Sequence, residues 1–204
     1  MDTVVTVGLV LLVLMPSVIL HEVAHGAAAL RFGDDTARQA GRLTLNPLAH
    51  IDPFGTVILP ALLAFTTGAA FGYAKPVPVN PSRMRRPRDH GLLVSLAGPA
   101  TNVVLALIAA ALLRALAPAD DPFVLETLFR FGVINVILAA FNLLPIPPLD
   151  GSALVERLLP RRLLPQWRTI RQYSMPVLLL IVLLVPGALG RVFGVAQRLW
   201  IHLL

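Results

Sequence analysis

Residues 21–25 read His-Glu-Val-Ala-His. On a helix, positions four apart share a face. His21 and His25 can therefore turn both imidazoles toward one ion, while Glu22 stands beside the first of them. Two neutral nitrogen donors and a carboxylate that takes a proton from water are the parts zinc-dependent hydrolysis requires. Five residues make a short pattern, but the setting adds weight. The pattern follows the apolar run Val4–Leu20 without a break. Three ionisable groups at such a place are costly in hydrocarbon and mark function. The plain alternative is that they bridge helices through hydrogen bonds.

A catalytic zinc takes three protein ligands and keeps one position open. The chain has no cysteine, so the third ligand comes from His50, His90, His202 or an acid. The acids to weigh are Asp34, Asp35, Asp52, Asp89, Asp150 and Glu156. Asp150 stands out because it closes "FNLLPIPPLDG" at the end of an apolar run. Pro145, Pro147 and Pro148 exclude a regular helix there. An unwound segment at membrane depth is tolerated where it lines protein or a cavity. Gly151 then frees the backbone beside the acid. Two readings stay open at this point: a ligand aimed inward, or a cap on a helix that begins near Ser152.

The elements that must position these groups are membrane helices. Of the 204 residues, 56% are hydrophobic and 14% are charged, against about 25% charged in soluble domains. The net charge of +6 rests on arginines that fall between apolar runs, with Lys75 the one lysine. That distribution suits a bilayer and not nucleic acid. The segment before His21 lacks a basic start and a small-residue cleavage site, so it is expected to stay as a helix rather than leave as a signal peptide. Apolar helices are expected over 4–30, with Pro16 bending but not ending the first, then over 91–116 and 123–144, with two further segments at 174–186 and 192–204. The positive-inside rule places the arginines at 38–42, 83–88 and 157–171 in the cytoplasm. The 54–71 run is short and broken by Pro60, and it reads as a re-entrant hairpin. A full crossing there would put Asp150 on the opposite face from His25. With Arg31 at the interface, His25 lies about 9 Å and His21 about 15 Å inside it, at about 1.5 Å per residue.

With these residues in view, the chain resembles the site-2 proteases, intramembrane zinc metalloproteases. "HEVAH" (His21–His25), "SLAGPATN" (Ser95–Asn102) and "NLLPIPPLDG" (Asn142–Gly151) stand in the family's order. The resemblance implies His21, His25 and Asp150 as zinc ligands, Glu22 as catalytic base and acid, and Asn142 as a catalytic residue near the substrate backbone or oxyanion. Gly98 would allow close helix packing. Many family members carry an extra helix before the first motif, which is not expected here, and others carry PDZ or CBS domains, for which 204 residues leave no room.

The expectation is an all-α integral membrane protein: a site-2 protease-like helical core with a re-entrant hairpin and a small β element at "YAKPVPVN", which would pair with extended substrate. It forms a single domain over 1–204, with its core at 4–155 and C-terminal membrane segments within 174–204. The expected function is zinc-dependent endopeptidase action on a membrane protein or membrane-embedded peptide. The chain would lie in a prokaryotic inner or plasma membrane as a multi-pass protein, its active site toward the cytoplasm. His50 and Asp52 read as turn caps rather than substrate contacts. Two alternatives remain. One is a surface-acting membrane zinc metalloprotease that uses Glu156 or Glu126 as third ligand, although Glu126 falls near the outer side. The other is a non-catalytic metal transporter or adaptor, against which the intact Glu22 argues.

Overall fold

The computed structural model describes residues 3–62, 72–117, 121–184 and 187–204. Helix α1, Thr3–Arg31, is continuous through Pro16. Pro16 has no N–H to give to the preceding turn, and the next residue bonds locally instead: Ser17 Oγ donates to Val13 O at 2.6 Å. A short helix α2, Thr36–Gln39, follows. Helix α3 spans Pro87–Leu116 and α4 spans Pro122–Asn142. Asp121 starts α4 by accepting from the N–H groups of Phe123 and Val124. Four more helices close the chain: α5 Ser152–Leu158, α6 Leu164–Gln172, α7 Ser174–Leu184 and α8 Ala188–Leu203.

Leu11–Arg31, α3 and α4 are each long and apolar enough to cross a membrane. The distribution of side chains fits that solvent. Ser17, Asn102 and Asn135 are fully buried with Ala106, Ala109 and Ala110. Leu11, Leu12, Val104, Leu107 and Ile108 are exposed. Between helices in lipid, small residues allow close approach and polar ones bond across, while large apolar groups lose nothing by facing acyl chains. Trp200 of α8 is the largest side chain buried here, packed with α3 and α4. A methyl group on Gly132 would come within 2.1 Å of its ring.

Helices α1, α3 and α4 pack against one another. Their directions follow from paired residues. Along α1, Ser17 meets Asn135 of α4, and His21 and His25 lie beside Asp150 beyond the end of α4. Along α3 the order is reversed, with Val94 at His25 and Asn102 at His21. Helices α1 and α4 therefore run the same way, and α3 runs opposite. Asp150 is delivered to the same end of the bundle as His25.

One expectation for 50–80 changes. Among the described residues there is no strand. "YAKPVPVN" follows an irregular path in which several N–H groups are already used. Tyr73, Lys75 and Val77 donate to Gly55 O, His50 O and Glu22 Oε2, while Pro76 and Pro78 have none to give. The two prolines and these prior bonds leave few donors for a ladder. Pro53–Leu62 is a π-helical turn continuing as helix. Tyr73 returns to Gly55 with a 3.0 Å hydrogen bond, and Thr56 Oγ1 donates to Tyr73 O. Residues 63–71, on which the choice between hairpin and crossing depends, lie outside the described residues. The cap readings agree with the structure. Asp52 Oδ1 accepts from Gly55 N–H at 2.6 Å, and His50 ends the turn Pro47–Ala49.

Candidate metal centre

Asp150 owes its position to a loop pinned at both ends. The loop leaves α4 at Asn142, whose backbone carbonyl accepts from Gly151 N–H at 2.7 Å. Gly151 has an ordinary φ of −59°. Clearance is what demands glycine, because a methyl group there would lie 2.3 Å from Leu143 O. Beyond the loop, Arg88 of α3 donates to the carbonyls of Glu156, Arg157 and Leu159, tying the end of α5 to α3. Arg157 pairs with Asp89 at 2.8 Å. The Asp150 carboxylate does not cap α5; the structure shows no side-chain cap there.

It points instead at two imidazoles. Asp150 Oδ2 lies 3.2 Å from His21 Nε2 and 3.4 Å from His25 Nε2, and the two nitrogens are 3.0 Å apart. The other ring nitrogens reveal what these atoms carry. His21 Nδ1 is 2.6 Å from Asn102 Oδ1, and His25 Nδ1 is 2.7 Å from the Val94 carbonyl. Both partners are acceptors, so each Nδ1 is a donor and each neutral ring turns a bare Nε2 inward. Asp150 Oδ2 is buried without a donor. Three lone pairs thus meet in one buried place, a repulsive arrangement until a cation joins them. A proton on one nitrogen would serve two of the three atoms; a metal ion would be held by all three.

The spacing fits zinc. Bonds of about 2.0–2.1 Å at tetrahedral angles separate ligand atoms by about 3.3 Å, and the three distances here are 3.0, 3.2 and 3.4 Å. Gly98 of α3 forms the floor. A methyl group there would lie 2.4 Å from His25 Nε2 and 2.6 Å from His21 Nε2. Close packing was the reading of Gly98 in sequence; what it packs against is the pair of rings.

The remaining candidates divide clearly. Glu22 Oε2 accepts from Val77 N–H at 2.7 Å, which ties its carboxylate to the Pro-rich segment. Asn142 Nδ2 donates to Leu138 O within α4, and none of its hydrogen bonds reaches the cluster. Glu156 pairs with Arg171 and Glu126 with Arg130. Among the described residues, His21, His25 and Asp150 are the group able to hold a metal ion.

Sequence reasoning weighed Asp34 only as a third metal ligand and passed over Ser17 and Asn135. Asp34 is fully buried and accepts from Thr36 N–H and Oγ1 and from Asn80 N–H at 2.6 Å, anchoring the far end of the Pro-rich segment. Burial alone would raise its carboxyl, but the Thr36 hydroxyl, the Asn80 and Thr36 N–H groups and the Arg83 charge outweigh that and hold it below the usual carboxylate range. A lone serine or asparagine inside an apolar helix was the available signal for Ser17 and Asn135.

The profile of peptidase family M50 matches residues 9–121 and 117–185. The chain belongs to this family. It is the site-2 protease family to which the three motifs point, and its members are membrane peptidases. Among similar proteins, the putative zinc metalloprotease YwhC of Bacillus subtilis is 42% identical over 158 residues, covering 72% of this chain and 67% of its own. The putative zinc metalloprotease Rip2 of Mycolicibacterium smegmatis is 36% identical over 192 residues, covering 92% and 71%. The putative zinc metalloprotease MJ0611 of Methanocaldococcus jannaschii is 31% identical over 139 residues, covering 68% and 64%. No solved structure gives a significant match.

Proposed function

We propose that this M50 peptidase is a zinc-dependent endopeptidase of the site-2 type, cutting membrane-embedded segments, with His21, His25 and Asp150 as zinc ligands and Glu22 as base and acid. One observation carries the reading: three donor atoms converge with their lone pairs toward a common centre. Zinc, when held there, supplies Lewis-acid polarisation and acidifies water.

The chain's own groups do the rest. His21 and His25 are locked as Nε2 ligands by acceptors behind them. Asp150 adds one negative charge to two neutral ligands, leaving the ion's net charge positive. Glu22 Oε2 is steadied by Val77 N–H, and Oε1 takes the proton as a water oxygen attacks the scissile carbonyl carbon. When the C–N bond breaks, the same carboxyl returns that proton to the departing amine. Asn142 stands at the loop's start, where its amide can serve substrate backbone once the loop is engaged. Asp150 and His25 at one end of the bundle, with the arginines of 83–88 and 157–171, support a catalytic face toward the cytoplasm.

Glu22→Gln tests the assignment in membranes. Zinc content and fold should persist while cleavage of membrane fragments, followed by quantitative proteomics, disappears. Undiminished cleavage would refute the role of Glu22, and undiminished metal flux without cleavage would identify a transporter instead. Single cysteines placed at 88 and 157, in a chain with none of its own, should react from the cytoplasmic side; labelling from outside would reverse the orientation.

A further inference from the structure

Behind His21 lies a buried polar chain that no step of the proposed reaction uses. It begins at two backbone carbonyls. Asn135 Nδ2 donates one hydrogen to Phe131 O at 2.8 Å and the other to Ser17 Oγ at 2.9 Å. Ser17 Oγ spends its own hydrogen on Val13 O. The Asn135 carbonyl is thereby turned toward Asn102, whose Nδ2 donates to it at 2.8 Å and approaches Ser17 O at 3.4 Å. The Asn102 carbonyl must then face His21, and it sits 2.6 Å from Nδ1. Ser17, Asn102 and Asn135 are all at 0% exposure, so water cannot substitute for any partner.

Every link has a forced polarity. A main-chain carbonyl never donates, so Phe131 O fixes which end of Asn135 faces it. That choice fixes Asn102, and Asn102 fixes which nitrogen of His21 carries the hydrogen. Were Asn102 reversed, its NH2 would meet Nδ1, the hydrogen would move to Nε2, and the ring could no longer offer a lone pair to the centre. We propose that Asn135 and Ser17 are positioning residues that hold His21 in its metal-binding tautomer, acting through Asn102 from the middle of the bundle. This rests on His21 being a zinc ligand. Partners behind a ligating histidine typically change metal affinity by about 10- to 100-fold. Asn135 acts one step further back, and its effect should fall near the lower end.

The test uses the full chain in lipid nanodiscs. Asn135→Leu should lower zinc affinity by about 10-fold, read by competition with a chromophoric chelator. In the metal-free protein labelled with 15N-histidine, the His21 signals should change from one tautomer to a mixture. Ser17→Ala should shift both readouts the same way by less, and it serves alone if leucine at 135 prevents folding. A variant that only loosens packing, Trp200→Phe, should lower thermal stability and move neither readout. A single unchanged tautomer with unchanged affinity in both Asn135→Leu and Ser17→Ala overturns the proposal. His21→Ala separates the two layers. If it leaves zinc binding intact, the ligand assignment has failed. If it abolishes binding while Asn135→Leu does nothing, only the relay has failed.

Discussion

Gly98→Ala adds one methyl group at the floor of the metal centre. The added carbon would lie 2.4 Å from His25 Nε2 and 2.6 Å from both Nε2 and Cε1 of His21. Nonbonded heavy atoms settle at about 3.5 Å, so the rings or the α3 backbone must retreat by roughly 1 Å. The rings have little room to do so, because each is held from behind at Nδ1, by Asn102 and by Val94 of α3 itself. Zinc–ligand distances tolerate about 0.2 Å, so a shift of that size would break the proposed ligand set. A misplacement of about 1 Å can cost about 100-fold in cleavage rate, a factor that corresponds to about 2.8 kcal/mol, and zinc affinity should fall with it. Overpacking should take a further 1–3 kcal/mol or so from stability. The assay is zinc affinity of the purified protein by chelator competition, alongside cleavage of a membrane-embedded reporter. Gly91→Ala is the matched control, since that position on the same helix has nothing within 4 Å. Wild-type zinc affinity in Gly98→Ala would show that the rings are not where the structure puts them.

Asp150→Asn keeps the shape and removes the charge. Zinc affinity should drop by more than the roughly 10- to 100-fold typical of an outer partner, and cleavage should stop while helicity by circular dichroism stays unchanged. Gly132→Ala drives a methyl to within 2.1 Å of Trp200; thermal unfolding should register a loss of about 1–3 kcal/mol, with zinc affinity unmoved. Asp34 has a depressed carboxyl, so its stabilising contribution is fully present above the ordinary carboxylate pKa of about 3.9 and is lost as pH falls through its lower folded value. Unfolding of the wild type against pH should show that acid limb, and Asp34→Asn should show a smaller one; an identical limb in the variant would contradict the assignment.

Local spacing carried much of this protein. The i, i+4 relation of His21 and His25 follows from helix geometry alone, and the helices seen at Thr3–Arg31, Pro87–Leu116 and Pro122–Asn142 lie within a few residues of where apolar runs place them. The prolines of 145–148 announce an unwound loop wherever the chain goes. Polar groups inside such runs declare themselves by their cost in hydrocarbon. What spacing cannot express is rotation about a helix axis. A helix that is apolar all round has no stripe to say which face meets its neighbour, so nothing local tells that Gly98 lies under the two rings or that Ser17 meets Asn135, 118 residues away. Nor does an extended-looking "YAKPVPVN" reveal that Tyr73, Lys75 and Val77 donate to Gly55, His50 and Glu22. The sequence alone determined which residue types stand at which intervals along each helix. Only the tertiary structure decided which lone pairs face each other, because hydrogen-bond polarity is settled by the groups that packing brings together.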